Sequence, residues 1–317
     1  MTDAPAPPTR RRRWILALRA LGLVVLVVVI VRSAGTLEEA KSALARVRAV
    51  DFAACLGVSL LSLFCIAVRT RILLSALGAR ARTTGLFVDV LVATAMNALF
   101  LMGMDLLYRA VRLRPVAGSV ERASFVVLMD RGLGLATQFA AAVLLFAFLG
   151  RTPWSTSLHP NAAWLLGAGG AALVAVIAFV ALRRFAPAMA RLRGAVEAAR
   201  TLLRSPLALA GAILSSVGSY VGSVFVVWML GNALGLSVDG SVYFYAVPMV
   251  AIATLLPISL GGIGVRELGY FALLASEGVS RGEATALGVC QYTVFLLISA
   301  VAGIVWTAGV DRFQVEA

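Results

Sequence analysis

The residues whose types and spacing best suit chemistry lie in one apolar stretch near the C-terminal end of the chain. It contains a helix breaker, a serine, a glycine cluster and an adjacent base and acid: Pro257, Ser259, Gly261, Gly262, Gly264, Arg266 and Glu267. Proline removes a backbone donor and ends the helix before it, whereas glycine permits a non-helical backbone. Lipid tolerates such a break only where protein or a water-filled cavity surrounds it.

A second helix that starts near Ile263 would direct its free N–H groups at whatever lies beside the break. Such helix ends attract anions, phosphate above all. Arg266 would add a positive charge whose planar fork suits phosphate oxygens. The pattern predicts a site for an anionic headgroup at a broken helix, with Pro257 as its hinge. The alternative is a structural network in which Arg266 and Glu267 brace a kinked helix.

Further acidic residues stand out because they lie inside or beside apolar runs. Asp105 and Arg109 are four residues apart and share one helical face, although a surface ion pair of little energy is the alternative. Asp130 and its neighbour Arg131 point to different sides of a helix, so each is expected to pair with another segment. Asp89 has no evident partner.

The expected partners of these charges lie near the broken helix. Asp130 would meet Arg266 or Arg109, and Arg131 would meet Glu267. Asp105, Asp130 and Glu267 would then balance charge or couple to protons. Gln291 and Tyr292 lie at a similar depth in the last apolar run. They either line the same cavity or form hydrogen bonds between helices.

The composition indicates a membrane protein. Of 317 residues, 61% are hydrophobic and 14% charged, and the mean hydropathy is +0.95, which excludes a soluble globular domain. The net charge of +13 does not indicate nucleic acid, because the basic residues form short clusters between apolar runs. Three cysteines and one histidine without metal or redox spacing predict no metal site and no cofactor.

Eight apolar runs organise the chain, and we expect them to form one transmembrane domain over residues 14–309. They lie at about 14–31, 52–74, 84–104, 121–148, 162–182, 207–230, 241–277 and 283–309. Residues 1–13 form a basic tail that we expect to be disordered and cytoplasmic, and residues 310–317 form a C-terminal tail. The first run is long enough to be an uncleaved span.

The basic clusters predict how the runs cross the membrane. Arginines follow both the second and the third run: Arg69, Arg71, Arg80 and Arg82, then Arg109, Arg112 and Arg114. Both clusters lie in the cytoplasm only if run 84–104 is a re-entrant hairpin. The alternative is a simple span that leaves one basic loop outside. The broken run 241–277 becomes a second hairpin, entered from the other side.

These assignments predict an all-α polytopic integral membrane protein with about six spanning helices and two re-entrant helical hairpins. The halves, about 14–148 and 162–309, follow the same order in opposite orientation, which is an inverted repeat. Run 207–230 also contains a face of small residues: Ser215, Gly218, Ser219 and Gly222. Helix packing is the main interpretation of this face, and a homodimer interface is the weaker one.

The late motif Pro257-x-Ser259-x-Gly261-Gly262-x-Gly264-Val265-Arg266-Glu267 resembles the signature of the flippase-like transmembrane domain of lysylphosphatidylglycerol synthases. The segments Asn97…Gly103-Met104-Asp105…Arg109 and Asp130-Arg131 resemble earlier parts of the same family, so the similarity extends over nearly the whole chain. Two departures are the missing proline between Asn97 and Gly103 and the methionine at position 104. The resemblance implies lipid translocation, and we expect no aminoacylation because no synthase domain follows.

We therefore expect a transporter, not an enzyme, that moves an anionic phospholipid or a polyprenyl-phosphate lipid between the leaflets of the bacterial inner membrane. Both termini would be cytoplasmic. The cargo would contact Arg266, Ser259 and the glycine backbone, with Arg109, Arg131, Gln291 and Tyr292 nearby. One alternative is a non-transporting scaffold that binds a lipid- or glycan-synthesis enzyme. The other is a membrane-bound lipid transferase, which the absence of DxxD, DxD or histidine clusters disfavours.

Overall fold

A computed structural model gives the structure of the protein and describes residues 40–99, 103–149, 204–254 and 264–308. Within these ranges the chain forms no strand, and residues 40–44 are helical. The helices with defined bounds are α1 (Ala49–Ala76), α2 (Thr83–Leu99), α3 (Met104–Ala117), α4 (Val120–Leu149), α5 (Pro206–Leu234), α6 (Gly240–Ala253), α7 (Val265–Leu274) and α8 (Arg281–Thr307). A 3-10 turn, Ala275–Glu277, joins α7 to α8. The predicted spans 14–31 and 162–182 lie outside the described residues.

The long helices match the predicted spans. By length and composition, α1, α5 and α8 are able to cross a membrane, and they correspond to the runs 52–74, 207–230 and 283–309. Helix α4 has 30 residues and corresponds to run 121–148, although Asp130 and Arg131 interrupt its apolar sequence. The all-α polytopic membrane fold is therefore confirmed.

Helices α1 and α5 run antiparallel and share the most extensive helix–helix contact in the described part of the chain. At one end Arg46 Nη1 donates to the carbonyl of Leu234 at 3.2 Å, and towards the other end Arg69 Nη1 donates to Ser216 Oγ at 2.9 Å. The start of α1 thus lies beside the end of α5, and the later part of α1 lies beside the first half of α5. The two helices therefore point in opposite directions.

The small-residue face of α5 makes this close approach. A Cβ atom at Gly222 would collide with the Ser62 hydroxyl of α1, and one at Gly218 would lie 3.2 Å from the Cys65 sulfur. Helices approach this closely only where side chains are small. The packing interpretation of the face is confirmed. A homodimer stays a prediction, and it would need another surface, because α1 covers this one.

Helices α2 and α3 form the first hairpin. Helix α2 ends at Leu99 after 17 residues, or about 25 Å, and Gly103 precedes α3 with a φ of +92°, which favours glycine. Arg112 of α3 returns to Asp89 of α2 at 3.3 Å. The structure therefore shows an antiparallel helix pair that extends to Ala117 instead of ending near residue 104. Whether it re-enters the membrane or α2 spans it stays a prediction. The return helix is amphipathic, and its Arg109 and Arg112 are paired with acids of the neighbouring helices.

Helices α6 and α7 form the second hairpin, at the predicted interruption of run 241–277. Helix α6 ends at Ala253, and α7 begins at Val265, two residues after the predicted start at Ile263. Gly264 precedes α7 with a φ of +86°. Pro257, Ser259, Gly261 and Gly262 belong to the segment between them and lie outside the described residues.

The two halves pack as an inverted repeat. The described part of each half has a long helix, a hairpin and a second long helix: α1, α2–α3 and α4, then α5, α6–α7 and α8. Each hairpin contacts the last helix of the other half, because α2 packs on α8 and α6 packs on α4. Since α1 and α5 are antiparallel, the first hairpin opens at one end of the bundle and the second at the opposite end.

The two ends of the bundle differ in charge. The end at which the first hairpin opens carries mostly basic residues, with the exposed acid Glu121 among them: Arg71, Arg80, Arg82, Arg114, Arg122 and Arg204. The opposite end mixes both signs: Lys41, Arg46, Arg48, Asp51, Asp239, Glu277, Arg281 and Glu283. We name them the basic end and the mixed end.

Candidate functional site

A carboxylate at the centre of the first half binds two arginines from different helices. Asp130 of α4 is 1% exposed. Its Oδ1 accepts from Arg69 Nε of α1 at 2.6 Å, and its Oδ2 accepts from Arg109 Nη1 of α3 at 2.8 Å. Such short, charge-assisted contacts are the strong class of hydrogen bond. We call Arg69, Arg109 and Asp130 the buried triad.

Each arginine of the buried triad also has a neutral hydroxyl partner. Arg69 Nη1 donates to Ser216 Oγ at 2.9 Å, and Arg109 Nη2 donates to Thr70 Oγ1 at 2.7 Å. Both hydroxyl-bearing residues are buried. The Arg69 guanidinium also lies against Gly134 of α4, where an added Cβ would be 2.9 Å from its Nη1. The arginines are thus held by neutral groups as well as by the carboxylate.

The buried triad decides which arginine pairs with Asp130, and it adds Arg69 to the predicted site residues. Of the two candidates for Asp130, the structure selects Arg109 and not Arg266. The predicted pairing of Asp105 with Arg109 is wrong, because Arg109 turns from its own helix towards α4. Arg69 was missed as a site residue. It was assigned to the cytoplasmic cluster, but it is 5% exposed and points into the bundle.

A second ion pair lies closer to the tip of the first hairpin. Arg131 Nη1 of α4 is 3.3 Å from Asp105 Oδ2, at the start of α3. The Arg131 side chain is 39% exposed and that of Asp105 is 12% exposed, so solvent weakens this pair. The predicted contact between Arg131 and Glu267 is therefore wrong, since Asp105 is the closer acid on the packed neighbour α3.

The charged residues on one face of α3 form a row of ion pairs with the neighbouring helices α2 and α4, and we call this row the ladder. Asp105, Arg109 and Arg112 share one face of the helix at spacings of four and three residues. Arg112 pairs with Asp89, the acid for which the sequence offered no partner, and Tyr108 Oη also lies 3.5 Å from Asp89. The ladder leads from the basic end of the bundle towards the hairpin tip.

At the start of α7 the predicted helix terminus is present, but an internal acid occupies it. The Glu267 carboxylate accepts from the Gly264 N–H at 2.5 Å, which satisfies one of the free donors of the helix end. The same side chain packs on Gly288 of α8, where an added Cβ would lie 2.7 Å from its Cγ. Glu267 therefore caps the helix instead of pairing with Arg131.

Arg266 lies buried beside the last helix. It is 7% exposed, and its guanidinium carbon is 5.0 Å from the centroid of the Phe295 ring on α8, a distance at which a cation is attracted to the ring face. Tyr292, one turn earlier on α8, donates to the carbonyl of Ala98 at the end of α2 at 3.2 Å. Tyr292 thus links α8 to the first hairpin.

The second half repeats the positions of the first half with different chemistry. Arg109 and Asp130 lie five and ten residues after the first residues of α3 and α4. Tyr270 and Gln291 lie at the same distances along α7 and α8, and Tyr270 Oη donates to Gln291 Oε1 at 2.8 Å. A neutral hydrogen bond thus replaces the ion pair. The Gln291 interpretation as a helix–helix hydrogen bond is confirmed.

The site brings several predicted residues together in two groups. The first half unites Asp105, Arg109, Asp130 and Arg131, and the second unites Gly264, Arg266, Glu267, Gln291 and Tyr292. Across the described ranges no three His, Cys, Asp or Glu side chains cluster in a way that could hold a metal ion. What this arrangement offers a ligand is guanidinium groups and hydroxyls, which are groups that bind anions.

Comparison with known proteins identifies the family. The family model described as the lysylphosphatidylglycerol synthase TM region matches residues 15–303. Searches of curated proteins and of solved structures gave no match. The matched range includes both hairpins, the buried triad and the broken helix, and it covers most of the 317 residues. The chain therefore belongs to the family of the lysylphosphatidylglycerol synthase transmembrane region.

Proposed function

We propose that this multi-pass membrane protein transports a lipid between leaflets and binds its anionic headgroup where α7 begins. The family ties the chain to lipid metabolism. The observation that carries the proposal is the buried Arg266 at the first turn of a short helix, inside a bundle of two oppositely oriented hairpins. Ionisable groups at such positions in transporters usually serve the cargo.

The inverted repeat supports movement of the cargo between the two ends. One hairpin opens at the basic end and the other at the mixed end, so we propose one route along each hairpin, from a surface to the middle of the bundle. The ladder on α3 supplies charged groups on one route, and Tyr270, Gln291 and Tyr292 supply neutral ones on the other. The lipid tails would stay in the bilayer while the headgroup follows these routes.

The cargo, location and partners belong to the same proposal. Arginines favour phosphate, so an anionic phospholipid or a polyprenyl phosphate fits best. We place the protein in the bacterial inner membrane with both termini in the cytoplasm, where the basic end would also lie. We further propose that it is not an enzyme, and that an enzyme of lipid or glycan synthesis is its protein partner.

The test is a leaflet-accessibility assay in proteoliposomes. Fluorescent phosphatidylglycerol, a polyprenyl phosphate and a neutral lipid are compared in wild type and Arg266→Ala. Loss of the headgroup contact should reduce movement of the anionic lipid by about tenfold or more, since charge-assisted contacts contribute roughly 1.5–3 kcal/mol each. Movement of the neutral lipid should be unaffected.

Arg281→Ala is the matched control for this experiment. Arg281 also lies with its guanidinium 5.0 Å from a ring centroid, that of Phe271, but it is exposed at the start of α8. This variant should transport like wild type. If wild type moves none of the lipids, with or without a pH gradient or a membrane potential, transport is rejected and the scaffold hypothesis replaces it.

A further inference from the structure

The buried triad carries more positive than negative charge. Two guanidinium groups contact one carboxylate, and all three residues are less than 9% exposed. In an apolar bundle a surplus buried charge is costly. An additional anion would balance this surplus.

The arginines would also keep their positions after the carboxylate left. Ser216 holds Arg69 and Thr70 holds Arg109, at 2.9 and 2.7 Å. Gly134 supports the Arg69 guanidinium from the α4 side. Thr70 Oγ1 also lies 3.3 Å from Asp130 Oδ1, so the hydroxyls share the arginines with the carboxylate. Because Thr70 belongs to α1 and Ser216 to α5, each guanidinium would keep one neutral partner if the Asp130 carboxylate of α4 left.

We propose that Arg69 and Arg109 form a phosphate-binding site whose place Asp130 occupies in this conformation. This inference rests on the proposed function, and it adds a second anion site and an internal competitor for it. The Asp130 carboxylate presents one oxygen to each guanidinium, which is an arrangement that two oxygens of a phosphate group can also adopt. A phosphate group that reaches the triad would exchange with Asp130, while Thr70 and Ser216 keep the arginines in place.

The position of the site suits a headgroup that enters from the basic end. Arg109 lies between Arg112, near the open end of the first hairpin, and Asp105, near its tip. A phosphate bound by Arg109 would thus be partway along the ladder. Because α3 supplies Arg109 and α4 supplies Asp130, the exchange separates the return helix of the hairpin from α4.

The test measures binding and not transport, so it is independent of the assay for Arg266. Asp130→Ala removes the competing carboxylate and leaves space for an anion between the arginines. In detergent with chloride as the only anion, this variant should melt well below wild type. Inorganic phosphate at constant ionic strength should then raise its melting temperature by roughly 5 °C or more, and the shift should saturate with phosphate concentration.

Three control variants make the result specific. Asp130→Asn removes the charge but fills the space, so its phosphate shift should be smaller. Asp105→Ala removes a paired carboxylate outside the triad and should show only the general effect of phosphate on proteins. Asp130→Ala combined with Arg69→Gln should lose the shift, whereas the combination with Arg266→Ala should keep it.

Lipid and free phosphate are distinguished by a further comparison. Short-chain phosphatidylglycerol and dioctanoylglycerol, which lacks phosphate, are added to Asp130→Ala. A shift with the phospholipid and none with dioctanoylglycerol identifies a headgroup site, and a shift with inorganic phosphate alone identifies a free-anion site. The proposal is overturned if no phosphate compound raises the melting temperature above the Asp105→Ala control, or if Asp130→Ala fails to fold even in phosphate.

Discussion

Asp130 and its two arginines illustrate what a single sequence reveals about a buried charge. Asp130 and Arg109 were predictable partners, because each is a charge in or beside an apolar run and has to be compensated. Arg69 was not, because it lies two residues from Arg71 in a cluster that the positive-inside rule already explains. Near a helix end, a charge that sets topology and a charge that enters the bundle have the same local pattern.

The energetic consequence of this burial can be measured by comparing two arginines. Arg69→Ala should lower the free energy of unfolding by about 3 kcal/mol, at the lower end of the usual cost of breaking a buried pair, because Arg109 still neutralises Asp130. Arg131→Ala removes an arginine from the half-exposed pair with Asp105 and should cost less than about 1 kcal/mol. Equal losses in a detergent unfolding assay would contradict the difference in burial.

At the scale of elements, both hairpins were predictable and their exact lengths were not. The sequence alone shows the glycines that precede α3 and α7. It also shows the helix-breaking residues that follow Ala253. The sequence does not reveal the return helix α3, because the spacing of its arginines is as typical of a cytoplasmic loop as of a helix whose charges are paired. The contacts of α3 with α2 and α4 decide between a loop and a helix. Such contacts between distant segments cannot be read from a local sequence pattern.

The crossing of α1 and α5 gives a prediction for the helix pair. Gly222→Ala should destabilise the protein by about 1–3 kcal/mol, because the new methyl group collides with the Ser62 hydroxyl. Gly303→Ala in α8 is the matched control, since a Cβ there meets nothing within 4 Å. Thermal unfolding should separate the two variants.

The double variant Gly222→Ala with Ser62→Ala tests the cause. Removing the Ser62 hydroxyl leaves its Cβ 3.2 Å from the added methyl group, so a substantial part of the lost stability should return. If Ser62→Ala does not improve the Gly222→Ala protein, the collision is not the source of the loss, and the approach of these helices is looser than described.

For the whole molecule, the inverted repeat was predictable from alternating basic clusters, whereas the exchange of contacts between halves was not. Charge clusters give the direction of each run, but only packing shows that α2 lies on α8 and α6 on α4. The same holds for the matching positions of Arg109–Asp130 and Tyr270–Gln291, since the two pairs share no residue type.

The orientation of the molecule can be tested by cysteine labelling after the three native cysteines are replaced. Arg80→Cys reports the basic end and Arg281→Cys the mixed end, and both positions are exposed. In intact cells a membrane-impermeant maleimide should label position 281 and spare position 80, which should react after permeabilisation. Labelling of position 80 in intact cells would reverse the orientation, and labelling of both would contradict the inverted repeat.

The exchange of contacts between the halves also affects how the protein is made. Helix α2 is synthesised about 180 residues before α8, the helix against which it packs. At about 5–20 residues per second, roughly 10–40 s pass between the two. During that interval the first hairpin is in the membrane without its final neighbour, so its paired charges have to satisfy one another. The ion pairs between α2, α3 and α4 can all form at that stage. The charges of the first hairpin are therefore compensated before α8 is synthesised.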